Sequence, residues 1–568
     1  MRTGRHAMEH SGGQQHSGHT GVTDAHERSG TVARILRDPV VLLTIGLVVA
    51  RLVYLWVLCP YELVEDEAHY WEWSRRLGLS YYTKGPGVAW SIAASTWLFG
   101  AGEAAVRMPA VIASAISTLG IGALSRAVFQ SSRAGFYAAA LFNLTPVFQF
   151  TSLLITIDSP YIACWTLACW AGWRAAQPRD DGSRSPRRLG WWALLGASLG
   201  IGFLYKYTIL LAVPGIMAGS WLARRRHERT PSTNTQTVLG IVVMACVWTL
   251  CASPVIIWNW QEGWPTVRHL IGHLGLSGGD VAVKPAGTGW SYQPRWTFEL
   301  IGVQAVLLGA VTMSLVGSIA WARRQPVGTA DRRGAAYLIA CSIPILVFYV
   351  GVTFVNRAEG NWPVAGFVTL IALAGGWMAR ELHKPEAPAK SFCRSSWDAG
   401  LWAGVIVGVL MLRVDLLAQI PGIGPLVPVG RLIGARDQAR HVEELTASLR
   451  DQTGLDPLII VQHYGQASRL AFYLTGRPVV YCSSSFMGGR MTQYDYWTDT
   501  DLTDPALVGR PGVLIGAVEE QWQGVFAAVE PIGQIRGETK RDRQSFLGTG
   551  FKGYKRPGSP ATRTSEAK

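Results

Sequence analysis

The sequence predicts a mostly α-helical, polytopic membrane protein with a small α/β domain near its C-terminal end. Hydrophobic residues make up 49% of the 568 residues and charged residues only 16%, whereas soluble proteins carry about 25% charged residues. Long apolar stretches recur as far as residue 420, and short runs typical of β-strands follow them. This pattern excludes an ordinary soluble protein.

Eleven apolar stretches are long enough to cross a bilayer, which takes roughly 17–25 residues. They cover residues 39–58, 104–128, 134–153, 158–176, 188–204, 206–223, 236–257, 298–322, 335–355, 361–380 and 399–420. The stretch at 86–100 is apolar but short. We expect it to form a re-entrant or interfacial segment beside the end of the first span.

Basic residues set the orientation of these spans. They concentrate in the loops at 178–188, 224–229, 323–333 and 383–394. With the N-terminus inside and eleven spans, all four loops face the cytoplasm, as the positive-inside rule requires. Topology and anionic lipid therefore account for the net charge of +14, and we expect membrane lipid but no nucleic acid as a partner.

The chain divides into four regions. We expect a disordered cytoplasmic tail at 1–37, a transmembrane domain at 38–420, an α/β domain at 421–550 and a disordered tail at 551–568. Within the α/β domain, strand-like runs occur at 458–462, 478–482 and 513–517, and helix-like runs at 435–451 and 464–475. With eleven spans, this domain lies outside the cytoplasm.

Carboxylates occur at two places that this topology puts on the outer face. Asp66 and Glu67 follow the first span in the segment EDEAHYWEW, and Asp158 lies in TIDSP at the outer end of the fourth span. Along a helix, Asp66 shares a face with Tyr70 and Trp73, which suits an interfacial helix. Acids at such positions are either helix caps or general bases that deprotonate an alcohol.

Basic residues accompany these acids on the same side. Lys84 lies in the turn YYTKGPG, Lys206 in LYKYT between two apolar stretches, and Arg268 in the cluster VRHLIGH. Each can be an ordinary loop charge or a snorkelling side chain. Together they suit a phosphate group at the membrane surface. His269 and His273 are weak metal-site candidates, because a pair at i and i+4 lacks further ligands nearby in the sequence.

Other features carry less functional information. Arg51, inside the first span, is either a snorkelling group or a contact to a lipid phosphate. Gly196 and Gly200 form a G-x-x-x-G within a span, where close helix packing is expected. The sequence has neither a Walker A motif nor a G-x-G-x-x-G after a strand, so it gives no support for nucleotide use.

The order of these motifs resembles the bacterial members of glycosyltransferase families 39 and 83, the dolichyl-phosphate-mannose-protein mannosyltransferase-like enzymes that include the aminoarabinose transferase of lipid A. That family shows an Asp-Glu-Ala-Tyr-Tyr-like motif, a Tyr-Phe-(His/Lys)-Pro-Pro turn, Phe-Gly and Arg-Leu-Pro. The corresponding residues here are 66–70, 82–86, 99–100 and 107–109. The resemblance covers most of residues 39–500.

The resemblance implies a GT-C fold in the bacterial inner (plasma) membrane, with an active site that faces outward. It implies an inverting transfer of a sugar from a polyprenyl-phosphate carrier to a hydroxyl of a protein, lipid or cell-envelope glycan. By position, Asp66 is implied as the catalytic base, Glu67 as its support and Asp158 as a second acid. The residues implied to hold the donor phosphate are Lys84, Lys206 and Arg268.

Two departures from the family pattern affect these expectations. Gly85 replaces the first Pro of the turn, and we expect this to loosen the loop that carries Lys84. Thr83 stands where the aminoarabinose enzymes carry Glu, which argues against their metal site and substrate. We assign no cofactor, and the need for a divalent metal is left open. A flippase or exporter of lipid-linked sugars is the alternative function.

Overall fold

The computed structural model describes residues 36–177, 186–224, 231–273, 292–384, 388–422, 424, 427, 429–537 and 544–555. Within these ranges the chain forms a helical membrane part followed by a domain built on one five-stranded sheet. Most of the tails predicted at 1–37 and 551–568 lies outside the described residues.

The membrane part consists of helices joined by short connections. They are α1 (Pro39–Val53, extended by a π-helical turn at Tyr54–Leu58), α2 (Glu65–Ser74), α3 (Gly87–Phe99), α4 (Glu103–Phe129), α5 (Ser132–Leu144), α6 (Pro146–Thr151), α7 (Asp158–Ala176), α8 (Pro186–Tyr205), α9 (Ala212–Ala223), α10 (Pro231–Gln261), α11 (Pro265–His273), α12 (Pro294–Leu308), α13 (Val311–Arg324), α14 (Ala330–Val352), α15 (Ala365–Glu381), α16 (Pro388–Leu412) and α17 (Val414–Leu417).

Five of the described helices are long and apolar enough to cross a membrane unaided, and α12 with α13 would make a sixth. The five are α1, α4, α10, α14 and α16. On α1, the exposed apolar side chains Leu42, Ile45 and Val49 recur with helical spacing, as expected for a surface that faces lipid. The protein is therefore a multi-pass membrane protein, and the count of eleven spans stays a prediction.

Two predicted spans are wrong as continuous helices. The stretch 134–153 breaks at Thr145, which is extended (φ −80°, ψ 123°) because the following Pro146 disfavours helical geometry there. The stretch 298–322 bends by 102° between α12 and α13, where Gly309 adopts φ +56°, a conformation that favours glycine. The short stretch 86–100 does form a separate helix, α3.

Close packing through glycine joins α8 to α10. A Cβ atom on Gly196 would lie 2.4 Å from the carbonyl oxygen of Met244, and one on Gly200 would lie 2.5 Å from the Cβ of Cys251. Only glycine allows the two helices to approach this closely. The packing role predicted for the G-x-x-x-G is therefore confirmed.

Arg51 is buried within the helical bundle. Its guanidinium donates to Ser114 Oγ at 2.9 Å and to Asn143 Oδ1 at 2.8 Å. Both predicted roles, snorkelling and contact with a lipid phosphate, are therefore wrong, because the side chain faces neighbouring helices and binds their polar groups.

The C-terminal domain contains a mixed sheet in the order β2-β1-β3-β5-β4. The strands are β1 (Leu458–Val461), β2 (Tyr481–Cys482), β3 (Gly512–Ile515), β4 (Phe526–Gly533) and β5 (Ser545–Phe551), and the helices are α18 (Ala435–Thr453), α19 (Tyr464–Tyr473) and α20 (Glu519–Gln523). Strands β1, β2 and β3 are parallel, and β4 and β5 are antiparallel. The three predicted strands and both predicted helices are present. Strands β4 and β5 were not predicted.

The sheet domain is fixed to the membrane part through α2 and the segment before it. Helix α19 packs against α2. The Glu62 carboxylate accepts the backbone N–H groups of Ala435 and Arg436 at the start of α18, where a helix favours negative charge. The Leu63 N–H donates to the Tyr473 hydroxyl at 2.7 Å. These contacts hold the sheet domain beside the predicted acids.

Candidate active site

Glu67 anchors α2 inside the protein. Its carboxylate is fully buried and pairs with the buried Arg107 of α4 at 2.7 Å. It also accepts the backbone N–H groups of Ile155 at 3.0 Å and Val64 at 3.2 Å. The carboxylate is thus surrounded by donors, so the geometry supports a positioning role for Glu67 instead of a role in contact with a substrate.

Asp66 occupies a different face of α2. Its side chain is exposed, yet nearby protein atoms desolvate the carboxylate. We call the space that it faces, beside Lys84, the cleft. Burial and the neighbouring Glu65 raise the pKa of the Asp66 carboxyl, while Arg490 and Lys84 act in the opposite direction. A carboxylate with a raised pKa that stays accessible suits a general base.

Lys84 lies in a closed turn next to this cleft. Its carbonyl accepts the Tyr81 N–H at 3.0 Å and the Ser80 hydroxyl at 3.2 Å. Burial, and then the charge of Lys206, lower the pKa of Lys84 to about 8. Within the part of the chain that the structure describes, its ammonium group has neither a hydrogen bond nor an ion pair. The turn therefore offers a cation that is free to bind an anion.

Asp158 and Lys206 form a buried pair beside Lys84. Lys206 Nζ lies 2.8 Å from Asp158 Oδ1, and Asn361 Nδ2 donates to Asp158 Oδ2 at 2.6 Å. Asp158 is therefore more than a helix cap, and Lys206 does not snorkel. The structure thus brings Asn361 together with the predicted segments TIDSP and LYKYT.

Arg490 adds a cation from the sheet domain. It is exposed in the loop after β2, and its guanidinium carbon lies 5.0 Å from the centre of the Tyr464 ring. Its charge acts on both Asp66 and Lys84. Among the described residues it has no ion pair. Asp66 thus lies near two cations, Lys84 and Arg490, that no carboxylate of the described chain neutralises.

Arg268, the third predicted phosphate ligand, lies on α11. It is exposed and donates to the Gly263 carbonyl at 2.7 Å, and it is not among the charges that act most strongly on the pKa of Asp66 or Lys84. Its role as a phosphate ligand stays a prediction.

Of the two histidines of α11, the structure describes the side chain of His269 only. His269 is buried and its ring lies 5.1 Å from that of Tyr82, while the side chain of His273 lies outside the described part. Within the described ranges, no three His, Cys, Asp or Glu side chains are grouped as metal ligands. We therefore derive no step through a metal.

Comparisons with known proteins agree with the fold and the motif order. The sequence profile of the family "Dolichyl-phosphate-mannose-protein mannosyltransferase" matches residues 83–258. The lipid A galacturonosyltransferase RgtD of Rhizobium johnstonii is 24% identical over 69% of this chain and 74% of its own. The undecaprenyl phosphate-alpha-4-amino-4-deoxy-L-arabinose arabinosyl transferase of Edwardsiella ictaluri is 26% identical over 55% of this chain and 60% of its own.

The crystal structure of apo ArnT from Cupriavidus metallidurans has the same fold. It superimposes with a TM-score of 0.57 and 14% identity, covering 89% of this chain and 97% of ArnT. The chain therefore has a GT-C fold.

The unusual glycine of the Lys84 turn has a packing role. A Cβ atom on Gly85 would lie 2.3 Å from the carbonyl oxygen of Leu204, two residues before Lys206. The backbone carbonyl of Leu204 cannot move aside in the way that the flexible end of a side chain can. Instead of loosening the turn, as the sequence suggested, Gly85 lets the Lys84 turn press against the Lys206 segment.

Replacing Gly85 with Ala is expected to reduce sugar transfer by about 100-fold, because the added methyl group separates Lys84 from Lys206 and a displacement of 1 Å can cost that much. Transfer from a polyprenyl-phosphate sugar measures the effect. Gly102→Ala is the matched control, since a Cβ atom there meets nothing within 4 Å. Equal activity of the two variants would show that the close approach is unimportant.

His69 and Arg490 are the site residues that sequence reasoning missed. Trp73 donates its indole N–H to His69 Nε2 at 3.1 Å, and His69 Nδ1 lies 3.1 Å from Ser468 Oγ on α19. His69 therefore carries its proton on Nδ1. Burial lowers the pKa of His69 to about 3, so this link between α2 and the sheet domain is neutral. His69 lies within the family motif at 66–70, which could have drawn attention to it, but no local sequence pattern points to Arg490.

Proposed function

We propose that this protein is a glycosyltransferase, which moves a sugar from a polyprenyl-phosphate carrier to an acceptor hydroxyl with inversion at the anomeric carbon. The observation that carries the proposal is the accessible Asp66 carboxylate beside cations that have no carboxylate partner. The names of the relatives support the choice of donor, since one is an undecaprenyl phosphate-dependent arabinosyl transferase. ArnT from Cupriavidus metallidurans has also been crystallised bound to undecaprenyl phosphate.

The reaction follows from the position of each charge. Asp66 takes the proton of the acceptor hydroxyl, whose oxygen attacks the anomeric carbon of the sugar. The bond between that carbon and the carrier phosphate breaks, and both of its electrons leave with the phosphate. Lys84 stabilises the charge of the departing phosphate. The proton on Asp66 then returns to water through the open cleft.

Lys206 and Asp158 support this phosphate site. Because Asp158 already pairs with Lys206, the pair contributes less net charge than Lys84 does. Its proposed role is to fix Lys206 beside the phosphate, while Asn361 fixes the second oxygen of Asp158. Glu67 and Arg107 hold α2 so that Asp66 faces the same space.

The proposed orientation puts the cleft outside the cytoplasm of a bacterial cell. Asp158 begins α7, whose other end leads to the basic loop at 178–188. A helix of 19 residues is about 28 Å long, so its first residue, at the cleft, and its last residue, Ala176, lie near opposite membrane surfaces. If the basic loop faces the cytoplasm, the cleft and the sheet domain face outward. Labelling of a cysteine introduced at Thr83 only from the cytoplasmic side would contradict this orientation.

A direct assay tests the function. Purified protein in liposomes receives a radiolabelled undecaprenyl-phosphate sugar and a bacterial envelope fraction. We expect labelled sugar to appear in the envelope fraction and undecaprenyl phosphate to be released in equal amount. A flippase would instead move the intact lipid across the bilayer, so transport without cleavage would refute the proposal.

The affinity for the carrier is expected to fall as the pH rises through about 8, because Lys84 has a pKa near that value and loses its positive charge above it. The charges around it are Lys206, Asp158, Arg490 and Asp66. Binding of undecaprenyl phosphate, measured from about pH 6 to pH 10, reports the change. In Lys84→Arg the decline should move to a higher pH, because guanidinium stays protonated. An identical decline in that variant would assign it to another group.

A further inference from the structure

The sheet domain presents the carboxyl ends of its parallel strands to α2. His463 follows β1, and its Nδ1 atom lies 3.6 Å from the Glu65 carboxylate. Gly465 lies so close to α2 that a Cβ atom there would be 2.7 Å from the Cβ of Glu65. Because His463 and Gly465 lie against Glu65, the sheet domain forms the wall of the cleft on this side. The carboxyl ends of parallel strands are also where α/β domains usually bind ligands.

Arg490 is held in this wall by an aromatic ring. Its guanidinium lies over Tyr464, and the Tyr464 ring lies 4.6 Å from that of His69, which is one turn after Asp66 on α2. Such a contact orients the guanidinium plane without neutralising its charge. Arg490 is exposed and, within the described chain, has no carboxylate partner. The loop after β2 thus delivers an oriented, available cation next to Asp66.

The two cations near Asp66 come from different parts of the fold. Lys84 is grouped with Lys206 and Asp158 on the membrane part, whereas Arg490 comes from the sheet domain. Arg490 lowers the pKa of Asp66 more than Lys84 does and also lowers the pKa of Lys84, so both cations border the same cleft. In an inverting transfer the acceptor attacks the anomeric carbon from the side opposite to the leaving phosphate. If the phosphate binds at Lys84, the acceptor enters on the side of Arg490.

We propose that Arg490, supported by Tyr464 and His463, binds an anionic group of the acceptor, a phosphate or a carboxylate, next to the hydroxyl that Asp66 deprotonates. This inference rests on the proposed function and adds the chemical class of the acceptor. Arginine suits the task because its planar donors match two oxygens of such a group.

The test compares Arg490→Gln with wild type in two measurements. The first is transfer of labelled sugar from an undecaprenyl-phosphate donor into increasing amounts of a bacterial envelope fraction. The second is binding of undecaprenyl phosphate alone. We expect the amount of envelope needed for half-maximal transfer to rise about 10-fold or more, as for the loss of a charged hydrogen bond, while undecaprenyl phosphate binds as in wild type. For Arg490→Lys, the amount of envelope needed for half-maximal transfer should lie between the amounts for wild type and Arg490→Gln.

Arg536→Gln is the matched control. It removes the same charge from an exposed arginine of the sheet domain, where Arg536 lies 3.6 Å from Glu444. We expect it to behave as wild type in both measurements. If Arg490→Gln weakens the binding of undecaprenyl phosphate by the same factor by which it reduces sugar transfer, Arg490 belongs to the donor site and the inference is wrong. If Arg490→Gln transfers sugar as well as wild type does, the inference is also wrong. If the wild-type protein transfers no sugar, the proposed function is wrong as well.

Discussion

Asp66→Asn is expected to lower the rate of sugar transfer by about 10²–10⁴-fold, the usual contribution of a general base. The amide keeps the size of the side chain but cannot accept the hydroxyl proton. Asp66 is exposed and makes no side-chain hydrogen bond within the described chain, so the substitution should leave the fold intact. Release of undecaprenyl phosphate from its sugar conjugate measures the rate, and binding of undecaprenyl phosphate should persist.

Glu65→Gln provides the control for this experiment. It removes a carboxylate from the same turn of α2, where Glu65 lies 3.6 Å from His463. Because Glu65 raises the pKa of Asp66, its loss should lower that pKa and change the rate far less than Asp66→Asn does. If Asp66→Asn is as active as wild type, Asp66 is not the base and the proposed mechanism fails.

Glu67→Ala is expected to lower the free energy of unfolding by about 3–5 kcal/mol, the usual effect of removing one partner from a buried ion pair. Arg107 would keep its charge in a buried site, and the backbone N–H groups of Ile155 and Val64 would lose their acceptor. The unfolding equilibrium of the purified protein in detergent measures the change. Transfer should fall as well, because α2 then no longer holds Asp66 in place.

The exposed pair of Arg394 and Asp398 supplies the control. Asp398→Ala should change the free energy of unfolding by no more than about 1 kcal/mol, as expected at a surface. Glu67→Gln separates a positioning role from a catalytic one. If Glu67 acts only by position, the rate should fall while its pH dependence stays that of Asp66. A loss of the acidic limb of the pH profile, with stability retained, would make Glu67 the base.

Local patterns determined a large part of the architecture. Apolar stretches predicted the membrane helices because a bilayer imposes both length and composition. The G-x-x-x-G predicted close helix packing, because only small residues permit it, and the structure supplied the partner, α10. Patterns failed where the backbone breaks inside an apolar stretch, as at Thr145 and Gly309, since hydropathy does not report backbone geometry. They also missed β4, whose side chains are largely exposed and lack the alternation of a half-buried strand.

The sequence by itself determined which chemical groups the site can use: acids after the first and third spans, Lys84 in a tight turn and Lys206 between two helices, all in a recognisable order. Only the tertiary structure decided what each group does. Asp66 and Glu67 are neighbours in the chain, but successive helical residues point about 100° apart, so one faces the cleft and the other a buried arginine. Arg490 reaches the same cleft from a distant loop, because the packing of the sheet domain on α2, and no local pattern, fixes its position.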